Sequence, residues 1–260
     1  MPIINQVVQG GGSAPALYRE FQLDANGKLI PNTTTTHMDF TGVKDVSDYM
    51  LYKAYSNNTA ISGAINMSGL ITVSGSSACN YMFSDCTGIT SIDLSSLTTI
   101  SGGNACQYMF QNCTGLTSAN LSALTMVIQS GACQYMFYGC TGLISANLSA
   151  LSTIRQTYAC QYMFQNCTGL TSADLSGLTE LTGYNACQYM FYGCTSLATV
   201  YIGGTTAINF GSYSGFTNMF QGCTQNIDVY APAANQAQIE AFSGYPNFGG
   251  TGTVTWHWRS

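Results

Sequence analysis

Apolar residues return along this chain at a fixed spacing rather than in separate blocks. The segment Ala105–Leu121 reads ACQYMFQNCTGLTSANL, and near copies of it follow at a step of 27 residues. The Met-Phe pairs that mark these copies are Met82–Phe83, Met109–Phe110, Met136–Phe137, Met163–Phe164 and Met190–Phe191, with a sixth, Met219–Phe220, two residues late. A period of this length is typical of a solenoid, in which each unit buries its apolar face only against its neighbours.

Within one unit the pattern predicts a short helix followed by a strand. Apolar residues spaced i, i+3, i+4 and i+7 indicate a helix of two to three turns, and they are Cys106, Met109, Phe110 and Cys113. Gly115 then fits a left-handed helix cap. A strand and its turn follow, with the apolar positions Leu116, Ala119, Leu121 and Leu124. Stacked units are therefore expected to place a parallel sheet on one face and short helices on the other.

The ends of the chain depart from the repeat, and four segments are predicted: 1–17, 18–37, 38–226 and 227–260. The first is a docking strip with a Gly-rich linker, and the third is the solenoid. Asn26-Gly27 between alternating runs predicts a hairpin over Tyr18–Pro31 that caps the N-terminal end. In the last segment we expect strands at Ile227–Tyr230 and Thr253–Trp258 with a short helix between them, closing the C-terminal end.

The repeated block F-x-x-C-T-G-L-T-S resembles the BspA-like, or treponemal-type, leucine-rich repeats of bacterial surface proteins. The segment that begins at Asp228 with DVYAPAANQ is similar to the end of many such arrays. This resemblance implies an α/β solenoid of leucine-rich repeats. The opening MPIINQVVQGGG resembles the start of tail-associated proteins of bacteriophages that infect gut Firmicutes, which implies a place on a phage particle.

Composition and charge exclude several function classes. Only 7% of the residues are charged and the net charge is −5, so the chain lacks the basic surface that nucleic-acid binding requires. The sequence contains no apolar run of the length that a membrane helix needs. The first ten residues do not read as a secretory signal, so we expect the protein to reach the outside by another route.

Eleven cysteines form two series at the repeat spacing. Cys-x6-Cys does not match the C-x2-C pairs of structural zinc sites, and two cysteines at i and i+7 of a helix lie too far apart for a disulfide. We interpret them as small buried side chains. Disulfides between neighbouring units and a metal site are the alternatives. Free thiols in this number suggest synthesis in a reducing cytosol.

Two repeated stripes are candidate working surfaces. Outward strand positions give a polar stripe that suits a shallow site for a glycan or a protein, and its candidate residues are Thr117, Ser118, Asn120, Ser145, Asn147, Ser172, Asp174 and Tyr201. A solvated strand face without a ligand is the alternative. The second stripe consists of tyrosines: Tyr81, Tyr108, Tyr135, Tyr162 and Tyr189, continued by Tyr138 and Tyr192. Tyrosine is common in recognition surfaces, but packing between neighbouring units is the interpretation that we favour.

Enzyme chemistry finds little support in the sequence. His37 and His257 are the two histidines, and neither has an acid and a nucleophile near it in a known motif. Asp93 and Asp174 lie three units apart, too far for a carboxylate pair. In the run Trp256–Trp258 the two tryptophans are expected to face one side of a strand and cover the core.

The sequence therefore predicts a non-enzymatic structural and recognition protein on a phage particle, tail or fibre, that contacts a host-surface glycan or protein. Docking to other virion subunits would use the N-terminal strip, through Ile3, Ile4, Val7 and Val8. A bacterial cell-surface adhesin and a virion decoration without a ligand are the alternatives. We expect no cofactor, no metal, no nucleic acid and no membrane insertion, while a homo-oligomer remains open.

Overall fold

The computed structural model describes the backbone of residues 21–23 and 29–31, and the whole of residues 40, 43–46, 48, 50–211 and 215–260. The N-terminal strands β1 (Phe21–Leu23) and β2 (Leu29–Pro31) pair antiparallel. This pairing agrees with the hairpin that Asn26-Gly27 predicts. Whether the hairpin caps the solenoid stays a prediction.

The repeats coil into a solenoid whose turns contribute to two parallel sheets, not to the single sheet that the sequence predicts. The six-stranded sheet contains β3 (Asp45–Val46), β5 (Thr72–Val73), β7 (Thr99–Ile100), β9 (Met126–Val127), β11 (Thr153–Ile154) and β13 (Glu180–Leu181). The eight-stranded sheet contains β4 (Ser62–Asn66), β6 (Gly88–Asp93), β8 (Ser118–Asn120), β10 (Ser145–Asn147), β12 (Ser172–Leu175), β14 (Thr199–Ile202), β15 (Ile227–Pro232) and β16 (Val254–Arg259). The strands of both sheets follow chain order, so each turn lies against the turn before it.

Alternation of side chains explains why each sheet has one inner and one outer face. In β10, Ala146 is buried while Ser145 and Asn147 on either side of it are exposed. The leucines of the repeat fill the space inside the coil, and Leu116, Leu121 and Leu124 are at most 1% exposed. Because each turn is too small to enclose a core alone, burial is complete only where a neighbouring turn covers it.

The predicted helix does not form, and a chain of tight turns stands in its place. Within 104–113, every second N–H bonds the carbonyl three residues back, as Met109 N does to Cys106 O at 3.2 Å. The N–H groups between them bond the next turn of the solenoid, as Phe110 N does to Met136 O at 2.9 Å. We call this segment and its equivalents in other turns the turn ladder. In the described residues, the α-helix is a single short one, α1 (Gln236–Glu240), which follows a 3-10 turn at Ala233–Asn235.

A left-handed residue at every fourth position produces the turn ladder. Asn104, Tyr108 and Asn112 have φ of 52°, 55° and 54°. Gly131, Tyr135 and Gly139 take the same positions in the next turn, again with positive φ. Asn and Gly tolerate this conformation best, whereas a tyrosine there costs about 1–3 kcal/mol. Helical i to i−4 bonds are impossible in such a backbone.

The apolar stripe that suggested a helix is nevertheless buried. Cys106, Met109, Phe110 and Cys113 are all at most 1% exposed, and Ala105 is buried with them. Their burial repeats every four residues, in step with the left-handed positions. Over nine residues a period of four and the helical period of 3.6 differ by about one residue, which is why the pattern predicted the wrong element.

Gly115 does not cap a helix, but a glycine is needed there for another reason. A Cβ at this position would lie 2.4 Å from the carbonyl oxygen of Thr87 in the preceding turn. Gly142 and Gly169 approach Thr114 and Thr141 in the same way, at 2.6 and 2.5 Å. Glycine at this step of the repeat therefore allows two backbones to meet closely.

Identical side chains stack from turn to turn inside the coil. The phenylalanines of the turn ladder form a buried column with ring centroids 5.3–6.2 Å apart, comprising Phe83, Phe110, Phe137, Phe164, Phe191 and Phe220. Beside it, side-chain amides bond in one direction, each Nε2 donating to Oε1 of the next turn at 2.6–2.7 Å from Gln107 through Gln134 and Gln161 to Gln188. Asn80 begins this amide ladder by donating to Gln107 at 3.1 Å.

All eleven cysteines are buried free thiols, as their interpretation as small core side chains requires. The series that ends each turn ladder also makes a hydrogen bond. Cys113 and Cys140 donate from Sγ to the carbonyls of Phe83 and Phe110, both at 3.1 Å. Burial raises the pKa of Cys140 and Cys167 well above the ordinary value.

The C-terminal strands agree with the sequence pattern. β15 covers the predicted Ile227–Tyr230, and β16, which matches the predicted Thr253–Trp258, is an edge strand of the eight-stranded sheet. Trp256 and Trp258 stack on each other with ring centroids 5.6 Å apart and pack against the core. The expectation that both tryptophans face the core side of one strand is therefore correct.

Candidate functional site

The outer face of the eight-stranded sheet carries the predicted polar stripe. Strand register aligns its residues in two columns across the turns. The serine column is Ser118, Ser145, Ser172 and Thr199, and the second column is Asn120, Asn147, Asp174 and Tyr201. Every candidate except Thr117 thus lies in a strand of one continuous surface, and Thr117 immediately precedes β8.

In the second column, the amide and carboxylate side chains already make hydrogen bonds to nearby backbone. Oδ1 of Asn120, Asn147 and Asp174 accepts the backbone N–H two residues later, at 3.2, 3.1 and 2.8 Å. These bonds fix the turn that leaves each strand. They explain why Asn or Asp recurs at this position without any ligand.

The threonine hydroxyls also make hydrogen bonds within the protein. Thr117 donates from Oγ1 to the carbonyl of Thr90 in the preceding turn at 3.0 Å, and Thr171 donates likewise to Ile144. Their role is to hold one turn to the next.

The serine column is different, because solvent reaches its side chains, although Ser172 and Thr199 are half-buried. Ser118 and Ser145 are exposed, and neither makes a side-chain hydrogen bond within the part of the chain that the structure describes. A rigid row of hydroxyls, one per strand at a spacing of about 4.8 Å, is therefore available to an external partner.

Aromatic rings replace the amides at the C-terminal end of the same face. Tyr201, Tyr230 and His257 are in register on β14, β15 and β16. Their rings stack with centroids 4.9 Å apart for Tyr201 and Tyr230, and 4.6 Å apart for Tyr230 and His257. We call these three residues the aromatic column.

Sequence reasoning found Tyr201 but missed Tyr230 and His257. The available signal was the repeated strand pattern T-V-Y, D-V-Y and T-W-H at Thr199, Asp228 and Thr255, which puts an aromatic ring at the same outward position three times. It was missed because Tyr230 follows Tyr201 after 29 residues instead of 27, which puts the last two strands out of step with the earlier repeats.

Charged groups flank the aromatic column. Asp228 Oδ1 lies 2.8 Å from His257 Nε2, and both side chains are about half exposed, 54% and 41%. The Arg259 guanidinium lies 5.6 Å from the centre of the Tyr201 ring, a cation–π arrangement. Arg259 also donates to the carbonyl of Gly203.

The tyrosine stripe on the turn ladder is a packed column. Tyr81, Tyr108, Tyr135, Tyr162 and Tyr189 stack with ring centroids 4.6–4.8 Å apart. Lys53 lies 5.3 Å from the Tyr81 ring at one end, and Asn218 donates to the hydroxyl of Tyr189 at the other. Burial raises the pKa of Tyr135 to about 12. Because the ring faces are used between turns, packing explains this stripe, as we favoured from the sequence.

Catalytic chemistry gains no support from the geometry. His257 meets Asp228 on an exposed strand face, but the sequence around this pair matches no known catalytic motif. Asp93 and Asp174 are separated by β8 and β10, a distance of about 14 Å from strand spacing. His37 and the docking residues Ile3, Ile4, Val7 and Val8 lie outside the described residues.

Two structural features are absent from the described part of the chain. It contains no group of three or more His, Cys, Asp or Glu side chains placed to hold a metal ion. Nor does any of its helices have the length and apolar character needed to cross a membrane.

Comparison with known proteins identifies a repeat family. The model of the BspA-type leucine-rich repeat region matches residues 36–132 and 76–225, with six copies. No curated protein matches the chain significantly.

Two solved structures are similar at low identity. One is a leucine-rich cell surface protein of Faecalibacterium prausnitzii A2-165, with 13% identity, a TM-score of 0.29, and coverage of 92% of this chain and 93% of that one. The other is a leucine-rich repeat protein of Bacteroides ovatus ATCC 8483, with 15% identity, a TM-score of 0.20, and coverage of 84% and 88%. Likenesses this remote carry no argument about function.

Proposed function

Since this chain belongs to the BspA-type leucine-rich repeat family, we propose that it is a non-enzymatic recognition protein that works at a surface outside the cell. The proposed working surface is the outer face of the eight-stranded sheet. Its partner is a glycan or a protein on the surface of a host cell.

The exposed serine column carries this proposal. The neighbouring polar side chains are occupied by turns and by contacts between solenoid turns, whereas Ser118 and Ser145 face solvent and are exposed. Parallel strands hold these hydroxyls in fixed register, so a partner binds without the entropic cost of ordering the site.

Display on a phage particle is the placement that the N-terminal sequence predicts, through residues 1–17. Nothing in the family match indicates a virion, and display on a bacterial cell is the alternative placement. Tail genes beside this gene would support the phage particle, whereas a neighbouring anchoring domain or sorting signal would support the bacterial cell.

An architectural protein without a ligand is the second candidate. It is favoured by the internal hydrogen bonds of Thr117, Asn120, Asn147 and Asp174, because these account for much of the polar stripe without a partner.

Bulky substitutions on the two sheets separate the candidates. Ser118→Trp with Ser145→Trp should abolish binding of labelled protein to a panel of whole bacterial cells. The matched control, Met126→Trp with Thr153→Trp, places the same bulk on outward positions of the six-stranded sheet and should leave binding intact. If the serine variant still binds cells, the proposal that the sheet face is the recognition surface is wrong. If the unaltered protein binds no cell in the panel, the architectural role is favoured.

A further inference from the structure

The C-terminal end of the sheet face differs from the rest of it. Where earlier strands present Asn or Asp, β14, β15 and β16 present the rings of the aromatic column. The rings cover each other's faces, so the two half-buried tyrosines meet solvent mainly through their edges. Tyrosine supplies a large, rigid contact area together with a polar group.

The column ends in an open ring face. Tyr230 covers one side of His257, β16 is an edge strand of its sheet, and no second ring among the described residues stacks on His257. The His257 side chain is 41% exposed. At one end of the tyrosine column on the turn ladder, by comparison, Lys53 lies over the ring of Tyr81.

Hydrogen-bonding groups stand on both sides of the aromatic column. Asp228 uses Oδ1 for His257, which leaves Oδ2 as an acceptor on a side chain that is 54% exposed. Arg259 brings donors over Tyr201. Aromatic surface between an acceptor and donors suits a ligand that combines apolar C–H faces with hydroxyls, which is the chemistry of a pyranose ring.

The serine column leads directly to this place. Ser172 pairs with Thr199, which pairs with Asp228, so the hydroxyl row continues to the edge of the aromatic column. One hydroxyl per strand at about 4.8 Å is close to the repeat length of an extended glycan. A glycan that crosses the strands can therefore make the same contact on each turn.

Charge on this face favours a ligand without acidic groups. Asp93, Asp174 and Asp228 lie at outward strand positions, and the whole chain has a net charge of −5. A uronic acid or phosphate along the serine column would meet these carboxylates, and like charges in contact are costly.

We propose that the aromatic column is the anchoring site for a neutral glycan whose chain runs across the strands along the serine column. This inference rests on the proposed function of the sheet face as the recognition surface. It adds the class of ligand and the residues Tyr230, His257, Asp228 and Arg259.

The test uses the full chain and immobilised short oligosaccharides of glucose, galactose, mannose and N-acetylglucosamine, with oligogalacturonate as the acidic counterpart. Tyr230→Ala and His257→Ala should each weaken binding to the preferred neutral sugar about tenfold or more, the effect of a central aromatic contact. Tyr138→Ala, which removes an equal side chain from the turn ladder, should leave affinity unchanged. His257→Ala alters an exposed end of the column and keeps the test valid if Tyr230→Ala does not fold.

The outcomes distinguish this inference from the proposed function. Neutral-sugar binding that is lost in the serine variants but not in the column variants overturns the anchoring site and leaves the sheet face as the recognition surface. A preference for oligogalacturonate, or no sugar bound while whole cells are still bound, overturns the ligand class alone. If the protein also fails to bind cells, the proposed function falls with it.

Discussion

A thiol fills a small gap between two turns and still donates a hydrogen bond to a backbone carbonyl. Cys113 does this for Phe83, and Cys167 does it for Phe137 at 3.0 Å. Burial raises the pKa of both thiols, and of Cys194 as well. A hydrogen bond with Cys106, followed by burial, raises the pKa of Cys79. These cysteines are therefore structural, and their thiols are unreactive in the folded protein.

The raised thiol pKa values predict a loss of stability in alkali. The unfolded chain ionises its cysteines near the ordinary pKa of about 8.5, while burial raises the pKa of these thiols in the folded chain, so that they keep their protons. The contribution of these thiols to the free energy of unfolding is therefore complete below about pH 8 and decreases above about pH 9. For each thiol that ionises only in the unfolded chain, the decrease is about 1.4 kcal/mol per pH unit. Urea midpoints at a series of pH values measure this.

A thiol reagent supplies the control for that experiment. At pH 8 the folded protein should react at none of its cysteines, and the protein in denaturant should react at all eleven. Rapid reaction of the folded protein, or a urea midpoint that stays constant up to pH 10, would contradict the structural role.

Close backbone contact at Gly115 makes a second prediction at this scale. Gly115→Ala places a methyl group 2.4 Å from Thr87 O, so we expect a loss of about 1–3 kcal/mol in the free energy of unfolding, the usual cost of overpacking. Gly103→Ala is the matched control, because the nearest atom to its Cβ is Ser76 Oγ at 4.0 Å. Equal stability of the two variants in urea denaturation would refute the close contact.

At the scale of the element, the turn ladder replaces the helix that the apolar spacing predicted. Backbone hydrogen bonds to the carbonyl three residues back alternate with hydrogen bonds to the next turn of the solenoid. The turn ladder is therefore stabilised both by local bonds and by bonds between turns. Asn at 104, 112 and 166, and Gly at 131, 139 and 193, all have positive φ. This alternation of Asn and Gly was visible in the sequence and is the signal that would have corrected the prediction.

Substitution at Asn166 tests the turn ladder directly. Its φ is 58°, and Gly139 and Gly193 occupy the same position in the adjacent turns. Asn166→Gly should therefore be nearly neutral, whereas Asn166→Val should cost about 1–3 kcal/mol because a β-branched residue resists positive φ. An α-helix would reverse this order, since glycine is the poorer helix former. Thermal or urea unfolding of the two variants decides between these structures.

The strands of the eight-stranded sheet were predictable where the helix was not, but the two-residue strands of the six-stranded sheet were missed. A two-residue alternation such as Ser145, Ala146, Asn147 has one interpretation, and the strand bounds followed it closely. The polar stripe was also placed correctly on the sheet face. What the sequence did not reveal is which polar groups the fold already uses, because the bonds of Asn120 and Thr117 depend on neighbouring backbone that becomes known only from the structure.

At the scale of the whole molecule, the solenoid is stabilised by contacts between consecutive turns. Phenylalanines, tyrosines and amides each stack only on the turn before and the turn after. Stability in such an array is a sum of unit terms and neighbour terms. Inner turns have two neighbours, and the outermost turns have one.

Hydrogen exchange should therefore be slowest in the middle of the array. We expect amides of the turn ladder around Met109, Met136 and Met163 to exchange most slowly, and those of β4 and β16 to exchange faster, since opening free energies fall toward the ends. Mass spectrometry of peptides after timed exchange measures this gradient. Uniform protection from β4 to β16 would indicate a single all-or-none unit instead.

The amide ladder gives the molecule a direction. Each amide donates toward the C-terminal turn, so Asn80 at its start keeps a buried Oδ1 that has no partner in the described residues. An additional unit of 27 residues inserted in frame would find a donor on one side and an acceptor on the other. The array can thus gain or lose whole units by duplication or deletion, which changes the length of its sheet face without disturbing the core.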